Sequence, residues 1–252
     1  MSDKSKIEWT DATWNPVTGC TKVSAGCANC YAQTFSERFR GVPNHPFQNG
    51  FDLTLRPNRL EWPLLWKEPR RVFVNSMSDL FHEGIPDDYI FKVFEVMEQA
   101  EHHTFQVLTK RTPRMAKWVR KYFSNKKIPT NIWMGTSLER QDFYERIEFL
   151  KQVPAKVRFL SVEPLLGPIQ FKAHDLRALH WVIVGGESGP HSRPMNKEWV
   201  TDIKDQCEKH EVPFFFKQWG AYNSQGERVG KKYSGRRLEG RHWNNMPEYA
   251  MR

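Results

Sequence analysis

Three of the four cysteines in this chain, Cys20, Cys27 and Cys30, lie on one short segment, far from the fourth. Cysteine thiolates are the usual ligands of iron–sulfur clusters and common ligands of zinc. Because four ligands normally complete either centre, three thiolates leave one coordination position open to a substrate or cofactor. Gly19 and Gly26 give the backbone freedom to wrap around such a centre. The spacing therefore predicts a reactive [4Fe–4S] cluster with these three cysteines as its ligands.

Two other interpretations of the three cysteines remain open. A zinc ion would need a fourth ligand, for which His45 or another histidine is the candidate. No second pair of cysteines or histidines with the spacing typical of structural zinc sites lies nearby. The remaining interpretation is three thiols without a metal. For the distant Cys207, which lies in an amphipathic stretch, we expect burial as a small apolar group.

The segments that must position the cysteine loop alternate between short apolar runs and stretches with helical spacing. This alternation is typical of parallel strands covered by helices on both faces. With residues 7–10 ahead of the loop, it predicts about seven strands, the others being 71–76, 104–110, 131–137, 156–164, 180–189 and 212–220. The helical spacing predicts helices at 87–99, 113–122, 141–152 and 197–210.

The predicted fold is α/β, a (βα) repeat that forms a partial or full TIM-like barrel of about six or seven parallel strands. A doubly wound open sheet is the alternative, since the pattern does not report closure. Residues 1–220 form the predicted barrel domain, in which 41–70, with five prolines, is an irregular cap insertion. Residues 221–252 form a predicted basic extension packed on the barrel.

Polar residues stand at the end of each predicted strand. In βα barrels these ends converge on one face, which carries the active site, and the cysteine loop also follows a strand. We expect Glu163 to hydrogen-bond a ribose or substrate, and Lys110 with Arg111 to bind a carboxylate or phosphate. The alternative is that Glu163 and Lys110 simply pair with each other. The other candidates at strand ends are Asn75, Ser76, Asp79, Ser137, Gly185, Gly186 and Glu187.

The formal net charge of +9 admits an anionic partner. Residues 222–252 hold seven Lys or Arg against three Glu, and Tyr233 and Trp243 lie among them. Such a segment is able to grip phosphate and stack a base, which predicts a nucleic-acid or nucleotide partner. The alternative is a solvated tail packed by its two aromatic residues.

Several motifs resemble those of the bacteriophage gene product 37/68 family: TDATWNPVTGC, CANCYA, SVEPLLG, GGESG and FFFKQWG. That family is known for its three-cysteine motif and a core similar to radical S-adenosylmethionine enzymes. The resemblance extends from Trp9 to the closing GRHWNNMPE. It implies a cluster whose open iron binds S-adenosylmethionine, the reductive cleavage of that cofactor, and hydrogen abstraction from a substrate. It also implies an electron donor and a partner protein.

The resemblance assigns further residues to the cofactor, with two departures from the usual pattern. The cysteine spacing is C-x6-C-x2-C, where C-x3-C-x2-C is usual, and Tyr31 follows the last cysteine as the candidate adenine contact. A GGE motif usually follows the second strand and holds the cofactor's amino group. Here Gly185–Glu187 closes the sixth run, so Asp79, with Asn75 and Ser76, is the positional counterpart.

Two functions from other classes compete with a radical enzyme. One is a zinc-stabilised nucleic-acid-binding protein without catalysis. The other is a metal-dependent hydrolase or nuclease that uses Glu163, Glu187 and Asp79 around a divalent ion. We find no apolar run long enough to span a membrane and no secretory signal, and clustered cysteines suit a reducing compartment, so we expect a cytoplasmic protein.

Overall fold

The computed structural model describes residues 5–248. Their strands are β1 (Ala12–Trp14), β2 (Val17–Thr18), β3 (Thr54–Leu55), β4 (Arg71–Val74), β5 (Thr104–Thr109), β6 (Ile132–Ser137), β7 (Arg158–Val162), β8 (Trp181–Gly185) and β9 (Phe214–Gln218). Their α-helices are α1 (Tyr31–Glu37), α2 (Asp87–Gln99), α3 (Thr112–Tyr122), α4 (Glu145–Lys151), α5 (Ala173–Leu176), α6 (Lys197–Lys209) and α7 (Lys231–Ser234). Short 3-10 helices lie at Ala25–Cys27, Pro57–Arg59, Trp62–Leu65 and Gln141–Phe143.

Seven parallel strands form one curled sheet in the order β1-β4-β5-β6-β7-β8-β9, and β2 and β3 form a separate antiparallel pair. The strand order follows the chain without reversal, which is the order of a barrel. Within the described residues, β1 and β9 are the two edges, so the sheet is a half-barrel. The prediction of a partial barrel is confirmed, and the doubly wound alternative is wrong, because that fold reverses its strand order.

The first predicted strand, residues 7–10, is wrong, and β1 begins at Ala12. Residues 7–9 turn instead, and this places the Trp9 ring inside the barrel, 4.8 Å from the ring of Phe73. The predicted helix 141–152 is also interrupted, into a 3-10 turn and α4. The helix predicted at 87–99 is confirmed as α2, and no described helix is long and apolar enough to span a bilayer.

Two apolar cores lie on opposite faces of the sheet. The larger core lies between the sheet and the helices, and it contains the fully buried Cys207 of α6, as we expected. The smaller core fills the interior of the half-barrel with Trp9, Phe73, Trp133, Val157, Phe159, Trp181, Ile183 and Phe215. Side chains alternate between the two faces, so β4, β6, β7, β8 and β9 each contribute to both cores.

The insertion 41–70 contacts both ends of the sheet. Phe51 lines the cavity at the carboxyl ends of the strands. At the other end, where β5 starts, the backbone carbonyls of Pro63 and Trp66 hydrogen-bond the rings of His103 and His102. The insertion therefore runs along the outside of the barrel and does not cover one end alone.

The C-terminal extension also contacts the barrel. Trp243 packs edge-on against Phe214, and the guanidinium of Arg241 lies 3.5 Å above its ring. Because Trp243 is buried, it is not available to stack a base. Arg252, which contributes to the predicted basic tail, lies outside the described residues.

A glycine inside the barrel gives a test of this packing. A Cβ at Gly135 of β6 would lie 2.6 Å from the ring of Phe159, so we expect Gly135→Ala to lower the free energy of unfolding by about 1–3 kcal/mol. Gly167→Ala, where the nearest atom lies at 3.4 Å, should change it by less than about 0.5 kcal/mol. Urea denaturation measures both, and equal stability of the two variants would contradict the packing.

Candidate functional site

A cavity of about 480 Å³ opens at the carboxyl ends of the strands. Every predicted site residue except Gly185 lines it: Cys20, Cys27, Cys30, Tyr31, Asn75, Ser76, Asp79, Lys110, Ser137, Glu163, Gly186 and Glu187. Its floor is apolar and includes Trp9, Phe73 and Leu108 from the barrel interior. The strand ends therefore bring together the residues that the sequence predicts, although their roles stay predictions.

The three cysteines are half-buried free thiols. The three sulfur atoms do not all lie within 4.8 Å of one another, so at least one pair of them is farther apart than that. A single tetrahedral zinc with Zn–S bonds of about 2.3 Å holds its sulfurs about 3.8 Å apart. A cubic cluster holds its ligands farther apart, since each binds a different iron.

The three cysteines share their cavity with three carboxylates, each of which is paired with a cation. The cavity is lined by no histidine and by no further cysteine. His45, the candidate for zinc, stacks on the ring of Phe39 at 3.9 Å, and its Nδ1 accepts a hydrogen bond from the amide of Phe47. Among the described residues, the three predicted cysteines are therefore the thiols that line the cavity, and no histidine joins them.

The buried carboxylate of Glu139 holds the middle of the cysteine loop. It lies two residues beyond β6, and its Oε1 accepts a hydrogen bond of 2.6 Å from Ser24 Oγ. Lys110 and Arg146 pair with it at 3.2 and 2.9 Å. Burial acts to raise the pKa of Glu139, but these two cations outweigh burial and lower it. A Cβ at Gly26 would lie 2.4 Å from the same carboxylate, so only glycine fits there.

A second carboxylate, that of Glu187, holds the end of the loop. Its oxygens accept hydrogen bonds from the backbone and side chain of Arg193 and, at 3.1 Å, from Asn29 Nδ2. Arg193 also donates to the carbonyl of Ala25 at 2.9 Å. Although burial opposes it, hydrogen bonding to Arg193 lowers the pKa of Glu187. This glutamate therefore positions the loop between Cys27 and Cys30.

Arg111 holds the start of the loop. Its guanidinium donates to Cys20 Sγ at 3.4 Å, to the carbonyl and hydroxyl of Thr21, and to Glu83 and Asp79. Burial raises the pKa of the Cys20 thiol to about 11, and the charge of Arg111 acts against this rise. Asp79 also accepts from Thr109 Oγ1 and from the amides of Phe81 and Lys110. Its oxygens are thus engaged in joining β5 to the loop.

Glu163 pairs across the cavity with Lys217 of β9, at 2.9 Å. The alternative that Glu163 pairs with Lys110 is wrong, because Lys110 pairs with Glu139. Gly185 lies behind this pair, since a Cβ on it would come within 2.6 Å of Glu163 Oε1. The glycine therefore makes room for the carboxylate and does not itself line the cavity.

Three residues that line the cavity, Asn75, Gln218 and Trp9, have buried polar atoms without a partner, and Asn75 alone of these has two. It is buried, with a φ of 60°, and neither its Oδ1 nor its Nδ2 has a partner among the described residues. Buried amides without partners are uncommon in folded proteins and call for a ligand or water. Beside it, Tyr31 Oη donates a 2.5 Å hydrogen bond to the carbonyl of Ser76.

The three carboxylates of the hydrolase alternative do not form a metal site. Among the described residues, Asp79, Glu163 and Glu187 do not bring three oxygens within 4.8 Å of one another. Each is also paired with a different cation, Arg111, Lys217 or Arg193.

The sequence prediction missed three residues that build the site, Glu139, Arg193 and Asn29, which position the cysteine loop. Lys217 and Gln218, which stand at the end of the last predicted strand, line the cavity as that position predicts. Glu139 stands two residues beyond Ser137, which we had singled out, so extending each strand end by two residues would have found it. Arg193 lies in an irregular segment with no signal of its role.

Fold and site together define an α/β half-barrel with a three-cysteine loop at the carboxyl ends of its strands. The chain belongs to the family described as "Protein of unknown function (DUF5131)", whose model matches residues 4–247. A comparison with curated proteins finds no match. The resemblance to the bacteriophage family stays a prediction.

Among solved structures, the chain is similar to "Spore photoproduct lyase complexed with dinucleoside spore photoproduct", at 13% sequence identity and a TM-score of 0.42. The similarity covers 82% of this chain and 63% of that chain, so the chain spans less than two thirds of the lyase.

Replacing the central carboxylate tests how the loop is held. Glu139→Gln leaves Lys110 and Arg146 without a buried counter-charge, and we expect it to lower the free energy of unfolding at neutral pH by about 3 kcal/mol. Because the folded pKa of Glu139 lies below its ordinary 4.5, this stabilisation is present above pH 4.5 and is lost as the pH falls through the folded value.

Urea denaturation at neutral and acidic pH measures the effect, and the difference between wild type and variant should shrink in acid. Glu145→Gln, at an exposed position of α4, is the control and should change the free energy by less than about 0.5 kcal/mol. Equal effects of the two substitutions would contradict the role of Glu139.

Proposed function

We propose that this protein is a radical S-adenosylmethionine-type enzyme that holds a [4Fe–4S] cluster on Cys20, Cys27 and Cys30. The observation that carries the proposal is that these three thiols line one cavity that, among the described residues, no histidine and no further cysteine lines, and whose carboxylates are each paired with a cation. Three thiolates leave one iron of such a cluster without a protein ligand. The cluster and S-adenosylmethionine, when bound, supply one-electron chemistry that removes a hydrogen atom from a substrate.

In this proposal the chain's own residues orient the cysteine loop and bind the cofactor. Glu139, Glu187 and Arg111 fix the loop at three points, the side chains of two loop residues and one backbone carbonyl, so the thiols are presented at one side of the cavity. Asn75 offers an unpaired amide to the polar groups of the cofactor. Ser76 and Asp79 already form bonds within the protein, and in this proposal they orient the neighbouring backbone towards the cofactor. Tyr31 and Ser137 complete the cofactor side of the cavity.

The opposite side of the cavity is the proposed substrate side. Lys217 and Glu163 form an ion pair there, which lies against an apolar floor. An ion pair that is partly exposed can exchange its internal contact for hydrogen bonds to a ligand at low cost. We assign Glu163 to a hydroxyl of the substrate or ribose, and Lys110 to an anionic group. Gly186, which has no side chain, lets the backbone approach the ligand closely. The next residue, Glu187, already positions the cysteine loop.

A nucleic-acid or nucleotide substrate forms part of the proposal. The net charge of +9 and the basic segment that begins at residue 222 favour a polyanion. An exposed cluster of this kind needs a reducing compartment, so we place the protein in the cytoplasm with an electron donor and a partner protein.

Reconstitution without oxygen tests the proposal. The purified full chain, treated with iron and sulfide, should bind about four of each and turn brown. With a reductant it should convert S-adenosylmethionine to 5′-deoxyadenosine. Cys20→Ala, Cys27→Ala and Cys30→Ala should each lose both properties, because each removes one of the three ligands.

Cys207→Ala is the matched control, since Cys207 is buried in the helical core, and it should keep both properties. The proposal is overturned if all three loop variants retain the cluster, or if the wild-type chain takes up one zinc and no iron.

A further inference from the structure

Aromatic side chains stand exposed on one flank of the cavity mouth. Helix α1 begins directly after Cys30, and its Tyr31 lines the cavity while remaining 58% exposed. Phe35, one turn later on the same face, is 44% exposed. Its ring lies 5.2 and 5.6 Å from those of Phe39 and Phe47, so it is held by other aromatic residues. This flank is a rigid aromatic surface beside the cysteines.

Basic and aromatic side chains stand on the other flank. Lys231 of α7 also lines the cavity, and it forms no ion pair with any described residue. Lys232 follows it, with its ammonium 5.4 Å from the ring of Tyr233, which is 73% exposed. An ammonium without an ion-pair partner therefore lines the cavity, and an exposed ring stands two residues further along the same short helix.

These features match the chemistry of a single nucleic-acid strand. Proteins bind such strands with basic side chains along the phosphates and aromatic rings on which bases stack. Two acidic side chains on the α1 flank, Glu37 and Asp52, are both paired with Arg40, which offsets their charge toward a polyanion.

We propose that the two flanks, Tyr31 and Phe35 on one side and Lys231, Lys232 and Tyr233 on the other, bind single-stranded nucleic acid across the cavity mouth. The strand's phosphates lie along the lysines, its bases stack on the rings, and one nucleotide reaches into the cavity. This inference rests on the proposed function, because that nucleotide would be the substrate of the radical chemistry. The proposed substrate is then a nucleotide within a nucleic-acid strand and not a free nucleotide.

Fluorescence anisotropy with labelled oligonucleotides of single-stranded RNA and single-stranded DNA tests the surface, using the full chain. Lys231→Glu with Lys232→Glu should weaken binding at least tenfold at low salt. It should also reduce the slope of log K against log salt by about 1.4, since each phosphate contact on a single strand contributes about 0.7. Phe35→Ala with Tyr233→Ala should weaken binding about tenfold with little change in that slope.

Matched controls separate this surface from the general charge of the protein. Lys117→Glu with Lys127→Glu lowers the net charge equally at exposed positions away from the cavity, and Leu65→Ala removes another exposed apolar side chain. Both should change binding less than twofold. Circular dichroism and the iron content of every variant show whether it is folded and loaded.

Three results would overturn the inference. The wild type could bind neither single strand, or the flank and control substitutions could weaken binding equally. The protein could also bind a duplex more tightly than a single strand, with an affinity that the flank substitutions do not change. Failure of the surface and failure of the proposed function remain distinguishable. A chain that forms its cluster but binds no oligonucleotide contradicts the surface alone. A chain that binds oligonucleotide through these flanks but takes up no iron contradicts the cluster alone.

Discussion

The arrangement of the three cysteines depends on carboxylates and a guanidinium that lie outside the cysteine loop. Between Thr21 and Cys30 the loop has only the 3-10 turn Ala25–Cys27, which buries none of its residues. It therefore gains little from apolar packing. Glu139, Glu187 and Arg111 hold it instead, and each stands just beyond a strand of the sheet. The rigidity of the sheet is passed to the loop through these charged contacts.

Charges that are buried in this way are stable only as balanced sets. Glu139 has two cations and a hydroxyl around it, and Arg111 uses its guanidinium on two carboxylates, a thiol and a threonine. Removing one member leaves the others without compensation in a region of low polarity. The same contacts therefore set both the position of the thiols and the electrostatic field around them.

The sequence predicts the half-barrel well because its apolar runs are long and its helices amphipathic. The helix at 87–99 is reproduced to the residue, since its apolar positions recur with helical spacing and Pro86 precedes it. The first strand is misplaced because Ile7 and Trp9 alternate like strand residues, while in the fold Trp9 packs inside the barrel. A short apolar pattern does not reveal which surface buries it.

The sequence predicts which types of residue lie at the site but not which of them pair with one another. Parallel strand ends converge whatever their sequence, so the residue types at the mouth could be read directly. The ion pairs between them could not, because Lys110 pairs with Glu139, which the sequence prediction had not considered, and Glu163 pairs with Lys217. Asn29 and Arg193 act through loops, for which spacing carries no information.

The edge of β9 that faces away from β8 hydrogen-bonds a C-terminal segment of the same chain. The amide of Phe216 donates to the carbonyl of Trp243, and Phe215 bridges Asn244 in antiparallel fashion. Trp181, from the barrel interior, also bonds the carbonyl of Asn245. A free sheet margin would recruit a foreign strand and drive aggregation. By occupying that margin, the segment blocks strand exchange between neighbouring molecules and keeps β9, with Lys217, in register.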